Sequence, residues 1–266
     1  MTFVIDLNEV KIGRPLGKGG FGAVFEAKWK MRKVAVKVCL GNLLTNLSRE
    51  IQVLTSLPHH PHVLTFFGAA LSSDAVTTYI ITELAPNGSL YDYLHVKKEE
   101  PSPDQSLAWA QQIASGMQHL HSNNIVHRDL KSGNILLALG SLAKICDFGT
   151  ARTLAKTTVT NQAGTSRWMA PEIMKGIETE INKMCDVFSF GMVVYEIFAR
   201  QIPYADAPTD GLVGLAMLQG ERPPVPTTLP PYLCPLLEAC WREEPDQRPR
   251  FETIVLAVQT ESFEQS

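Results

Sequence analysis

The hydrophobic pattern changes period near residue 85, and that change limits the fold more than any other feature of the chain. Upstream, "AVFEAKW" (23–29) and "KVAVKVCL" (33–40) carry the β-branched, part-alternating pattern of a sheet. The strand reading covers residues 10–39 and continues in two more runs, 63–70 and 77–84. One helix interrupts it: residues 45–57 place Leu47, Ile51, Leu54 and Leu57 at helical spacing, and Pro58 stops the run. "APNGSL" (85–90) is a turn signal. Downstream, Ser102-Pro103-Asp104-Gln105 reads as a capping box with proline at the first helical position. It opens a long helix through His121 with Leu107, Ala110, Ile113, Met117 and Leu120 on one face. Short strands fit 135–138 and 143–146. Helices fit 182–200, 209–219, 232–241 and 251–259, and the Thr/Ser-rich stretch 150–168 reads as an exposed loop. The fold class is therefore α+β: a small β-rich lobe (1–84), a connection (85–88) and a larger helical lobe (89–266). A cleft between lobes is a natural ligand site.

Composition narrows the function classes. The chain has 266 residues, 45% of them apolar, and a net charge of −3 with no Lys/Arg block. A nucleic-acid footprint or an attraction to an acidic membrane surface is not indicated. No apolar run approaches the roughly 20 residues that a membrane span needs. The N-terminus, MTFVIDLNEV, lacks the basic and apolar regions of a signal peptide. Five cysteines with no CxxC argue against zinc or a disulfide framework and for a reducing, cytoplasmic setting. Nothing in the chain fixes an oligomeric state.

Several short motifs could carry chemistry. "LGKGGFGAV" contains Gly17-x-Gly19-x-x-Gly22, with strand-like sequence after it. A dinucleotide-binding reading requires a helix there, so the glycines form a hairpin tip whose backbone N–H groups could approach phosphates. Lys37 sits in an otherwise apolar strand, where an unpaired charge is costly. Glu50 is the only carboxylate between Lys37 and Asp74. "HRDLKSGN" crowds His127, Arg128 and Lys131 around Asp129 and ends at Asn134, and "KICDFG" places Asp147 at a strand end. Asn134 and Asp147 are oxygen ligands of the kind Mg²⁺ accepts alongside substrate phosphates, and Asp129 could take a proton from a hydroxyl. Taken singly, each motif has a plainer explanation: a glycine turn, a surface lysine, a solvated charged loop.

Their order is less ordinary. Gly17-x-Gly19-x-x-Gly22, Val34-Ala35-Val36-Lys37, Glu50, His127-Arg128-Asp129 with Asn134, Asp147-Phe148-Gly149 and Ala170-Pro171-Glu172 follow one another as in the protein-kinase signature set. The chain resembles the eukaryotic protein kinase family over about residues 10–260. "GTSRWMAPE" and "AKWKMRKVAVK" resemble its tyrosine-kinase-like branch, near mixed-lineage and transforming-growth-factor-activated kinases. The resemblance implies ATP as phosphoryl donor with Mg²⁺ (Mn²⁺ as the alternative), a protein substrate such as a downstream kinase, and the bilobal kinase fold. It implies that Asp129 orients the substrate hydroxyl, that Lys131 steadies the transferred group, and that Lys37 and Glu50 pair. Asn134 and Asp147 are then the metal ligands. The nucleotide would meet Gly17, Gly19, Gly22, Val24, Ala35, Lys37 and Leu136, Thr82 as gatekeeper, and backbone groups of Glu83 and Ala85. Lys131 favours serine/threonine transfer; tyrosine or dual-specificity transfer, or a catalytically silent scaffold, are the alternatives. Asp186 is expected to brace the catalytic loop, Arg248 to pair with Glu172, Phe188 to be a packing variant, and Arg128 to receive a phosphate on Thr157, Thr158 or Thr160. Thr165 is expected to hydrogen-bond Asp129 and Lys131.

Overall fold

The computed structural model describes residues 3–19, 22–40, 44–72, 77–153, 166–175 and 183–260. Five antiparallel strands form one sheet in the order β1-β2-β3-β5-β4. They are β1 (Val10–Gly19), β2 (Gly22–Trp29), β3 (Arg32–Leu40), β4 (Phe66–Leu71) and β5 (Thr77–Glu83), with helix α1 (Leu44–Ser56) between β3 and β4. Val34 and Val36 on β3 and Ile81 on β5 are buried on one face with Val10 and Ala27, as the alternation requires. The expected strand at 63–70 begins only at Phe66. Residues 62–64 instead pair with the C-terminal half: Leu64 N–H donates to the Ile145 carbonyl (2.9 Å) and Ile145 N–H to the His62 carbonyl (3.0 Å).

The rest is mainly helical. Helix α2 (Pro103–Ser122) starts where its cap predicts, the Ser102 hydroxyl accepting from Gln105 N–H at 3.1 Å. Its apolar stripe of Ala110, Ile113, Met117 and Leu120 is buried. Strands β6 (Ile125–Val126) and β9 (Arg152–Thr153) pair, as do β7 (Ile135–Leu137) and β8 (Ala143–Ile145). Helices α3 (Pro171–Met174), α4 (Met184–Ala199), α5 (Asp210–Leu218), α6 (Cys234–Cys240) and α7 (Phe251–Thr260) follow. Helix α4 is apolar around most of its circumference and lies inside the core, with Asp186, Ser189 and Glu196 as its buried polar residues. A single π-turn at Asp92–Val96 has no counterpart in the sequence reading. Together these elements give the small β-rich and larger helical parts that the resemblance implies. The five cysteines are free thiols, and no described helix is long and apolar enough to cross a membrane.

Candidate active site

The β3 register places the first group of residues. Val24 lies opposite Lys37 and Ala35 opposite Thr82, so all four share one sheet face. Gly17 pairs with Val24 and Gly19 with Gly22 at the turn. At Gly22 φ is +142°, and a Cβ there would sit 2.1 Å from the Val38 carbonyl oxygen, so only glycine fits. Thr82 is half-buried and its hydroxyl donates to its neighbour's carbonyl, Glu83 O, at 3.2 Å. The Glu83 N–H is already spent on the Thr65 carbonyl at 2.9 Å, which leaves the Glu83 carbonyl as its backbone group for a ligand. Ala85 follows directly, and Leu136 is half-buried in β7.

Lys37 joins two distant parts of the chain. Its ammonium lies 3.0 and 3.1 Å from the Glu50 carboxylate oxygens and 3.2 Å from Asp147 Oδ1. Burial alone would lower the Lys37 pKa, but the Asp147 and Glu50 charges outweigh it and hold the ammonium above its ordinary range. Burial raises the Glu50 pKa, and Lys37 offsets part of that. Asp147 takes a left-handed backbone (φ 63°) two residues past the end of β8. Burial holds the neighbouring Cys146 thiol protonated.

The second group sits in the loop 127–134. Asp129 is buried, and Lys131 Nζ reaches its two oxygens at 3.0 and 2.9 Å. Asn134 donates through Nδ2 to the Asp129 carbonyl (2.7 Å) and carboxylate (2.9 Å). That fixes the amide orientation and leaves Asn134 Oδ1 as the acceptor for a ligand. His127 uses both ring nitrogens: Nε2 bonds the Cys146 carbonyl (2.9 Å) and Nδ1 accepts from Asp129 N–H (3.3 Å). It is a strut and not a base. Asp186, fully buried, accepts from the backbone N–H groups of His127 and Arg128 (2.8 Å each) and from His121 Nε2 (2.9 Å). Arg128 adopts φ 69° there. The Arg248 guanidinium forks onto both Glu172 oxygens at 2.7 and 2.9 Å and stacks 5.1 Å from the Phe188 ring. The candidate phosphate acceptors Thr157, Thr158 and Thr160, and Thr165, lie outside the described residues.

Among the described residues no three His, Cys, Asp or Glu side chains cluster as a metal cage. The donor set that exists, one carboxylate at Asp147 and one amide oxygen at Asn134, fits a hard cation that draws its remaining ligands from phosphates and water. Two features escaped the sequence reading. Lys144 on β8 pairs with Glu83 at 2.7 Å, joining the end of β5 to the β7–β8 pair. Glu196, on α4, collects partners from three segments. Only a charge inside the apolar run "MVVYEIF" hinted at the second.

Residues 10–258 match the family model described as protein tyrosine and serine/threonine kinase. The chain belongs to the protein kinase family. It is 37% identical over 258 residues to dual specificity protein kinase pyk3 of Dictyostelium discoideum, covering 96% of the chain and 19% of that protein. It is 35% identical to mitogen-activated protein kinase kinase kinase 7 of Drosophila melanogaster (94% of the chain, 37% of that protein). Serine/threonine-protein kinase STY17 of Arabidopsis thaliana is 34% identical (94% and 44%). These relatives agree with the tyrosine-kinase-like branch. The kinase chain spans less than half the length of each.

Proposed function

We propose that this chain is an ATP-dependent protein serine/threonine kinase domain using Mg²⁺, acting on a protein substrate such as a downstream kinase in a cytoplasmic signalling cascade. The observation that carries the reading is Lys37, which meets Glu50 and Asp147 at once and so joins the sheet, α1 and the strand-end carboxylate in one ion-paired unit. A scaffold without catalysis has no need of that assembly together with Asp129, Lys131 and Asn134. Residues 1–84 and 89–266 are the two lobes, with 85–88 as hinge.

Each residue then has a task. Lys37 holds the α- and β-phosphates, the Gly17–Gly22 turn covers them, and Val24, Ala35 and Leu136 enclose the adenine against the Glu83–Ala85 backbone. Asp147 and Asn134 Oδ1 would hold the metal, which would neutralise charge on the phosphates. Asp129 orients the substrate hydroxyl and takes its proton as the oxygen attacks the γ-phosphorus and the bond to the β-phosphate oxygen breaks, releasing ADP. Lys131, already on Asp129, offsets negative charge on the moving group. Lys131 supports serine/threonine transfer, whereas the similarity to a dual-specificity kinase favours a second reading. Phospho-amino-acid analysis of the autophosphorylated chain tests the choice: phosphoserine and phosphothreonine alone are expected, and phosphotyrosine in comparable yield overturns it.

A further inference from the structure

The β2–β3 hairpin turns through only two residues, Lys30 and Met31, because Trp29 is paired with Arg32. Both central residues have positive φ, 45° and 65°. A two-residue turn of that kind favours asparagine and glycine, and other side chains there cost free energy. This chain places a lysine and a methionine in it, and Met31 stands wholly in solvent at 101% exposure. The neighbouring Trp29 is tied down instead: its ring packs 5.8 Å from Phe67 and its indole N–H donates to Glu9 at 3.1 Å.

The strands behind the turn gather cations. Lys11 on β1 lies opposite Lys28 on β2, and Lys28 lies opposite Lys33 on β3, so three lysines share one rung and one face of the sheet. All three are exposed. Like charges directly opposite one another work against strand pairing. Glu26, two residues along on the same face, is engaged by Arg14 Nε at 2.8 Å and Lys33 Nζ at 3.7 Å. Glu9 takes Lys30 at 3.4 Å. Among the described residues Lys11, Lys28 and Arg32 have no carboxylate partner. Lys11, Arg14, Lys28, Lys30, Arg32 and Lys33 thus surround two carboxylates, on a chain whose net charge is −3.

We propose that the β2–β3 hairpin tip, with the Lys11–Lys28–Lys33 rung behind it, docks an acidic peptide segment of a partner protein. Neighbouring strands lie about 4.8 Å apart, so the rung spans roughly 10 Å. An extended peptide repeats its side chains on one face every ~6.7 Å. Two acidic residues at alternate positions therefore fit across the three lysines, and Met31 offers contact to an apolar residue beside them. A membrane surface is disfavoured because Trp29, the aromatic at the tip, is held against Phe67 and is not free to insert. The negative net charge of the whole chain also repels a uniformly anionic surface or a nucleic acid, whereas a short acidic segment meets only the local cations. None of these residues belongs to the phosphoryl-transfer centre, so the docking surface goes beyond the kinase reading.

The test is fluorescence anisotropy of the full chain with a short fluorescein-labelled peptide of alternating glutamate and alanine that ends in leucine. The same peptide with glutamine for glutamate is the control. No ATP is present, so failure here leaves the phosphoryl-transfer reading untouched. Saturable binding of the glutamate peptide, weakened by salt, is expected, with none of the control. Lys11→Glu combined with Lys28→Glu should weaken it at least tenfold, and Lys28→Ala alone at least twofold. Met31→Gly suits the left-handed turn, so it should raise the urea midpoint while weakening the peptide at least twofold. A tip with only a structural role would not move stability and binding in opposite directions. Phosphatidylserine vesicles and labelled duplex DNA should bind at least tenfold more weakly than the peptide. Circular dichroism checks folding, and Lys28→Ala decides the question should the double variant not fold. No binding of the glutamate peptide by wild type, wild-type affinity in the folded lysine variants or in Met31→Gly, or vesicles or DNA bound as tightly as the peptide would overturn the inference.

Discussion

Replacing Lys37 by methionine separates the chemistry of this pair from its contribution to folding. The Lys37 and Glu50 side chains are 17% and 8% exposed, so the change strands a buried carboxylate. Breaking a buried pair on one side costs about 3–5 kcal/mol. Here a ceiling applies, because Glu50 can take up a proton instead of remaining charged. Protonating a carboxyl of ordinary pKa near 4.3 at pH 7 costs about 1.36 kcal/mol per unit, about 3.7 kcal/mol in all. The share of the loss at pH 7 that comes from stranding Glu50 should thus be about 3 kcal/mol and not exceed about 3.7. The sign with pH follows from the same chemistry: burial already raises the Glu50 pKa, and without Lys37 it rises further. The penalty is then full above that raised value and shrinks as pH falls, to a ceiling of about 1.6 kcal/mol at pH 5.5. Urea unfolding of wild type and variant at the two pH values measures this directly. Adding Glu50→Gln should return most of the stability at pH 7 and none of the phosphoryl transfer. A penalty as large at pH 5.5 as at pH 7 would refute the stranded charge as its cause.

Three further outcomes are expected, two from the geometry and one from the family resemblance. Burial would raise the Asp186 pKa, but His121 and the two backbone N–H groups outweigh it and lower it, so Asp186 stabilises the fold above about pH 4 and loses that contribution as pH falls through the depressed value; Asp186→Asn should be less stable than wild type at pH 7, with the gap closing below about pH 4 in urea titrations, and a constant gap would count against the brace. Thr82→Met should weaken bulky ATP-competitive inhibitors at least tenfold while leaving the KM for ATP within twofold, and equal inhibition of both proteins would remove Thr82 from the pocket wall. Combining Thr157→Ala, Thr158→Ala and Thr160→Ala, or treating wild type with phosphatase, should lower peptide turnover, because a phosphate there adds about −1.5 to −2 charge for Arg128 to receive; unchanged turnover in both would leave Arg128 without that role.

What could be read before the structure differs from element to element for physical reasons. The α2 boundary was legible because Ser102, Pro103 and Gln105 fix a helix start locally. Lys37 with Glu50 was legible because one cation in an apolar strand had one available carboxylate nearby in sequence. The pairing of Arg248 with Glu172 came only through the family likeness, since 76 residues separate them and nothing local joins them. The start of β4 at Phe66 was missed because residues 62–64, though apolar enough for a strand, pair with β8 from the other half of the chain. The π-turn at 92–96 leaves no periodic signal in five residues. Glu196 and Lys144 were missed for the same reason as each other: both are single charges whose partners are set by tertiary packing.

The central claim is that Asp129, Asn134, Lys37 and Asp147 work as one phosphoryl-transfer centre. Transfer of radiolabelled γ-phosphate from ATP to a peptide pool, with Mg²⁺ present or chelated, tests it most directly when wild type is run beside Asp147→Asn. The account predicts serine/threonine labelling by wild type that requires the metal, and loss of at least a hundredfold in a variant whose folding is intact. Undiminished labelling by folded Asp147→Asn, or none by wild type after activation-loop phosphorylation, would contradict it.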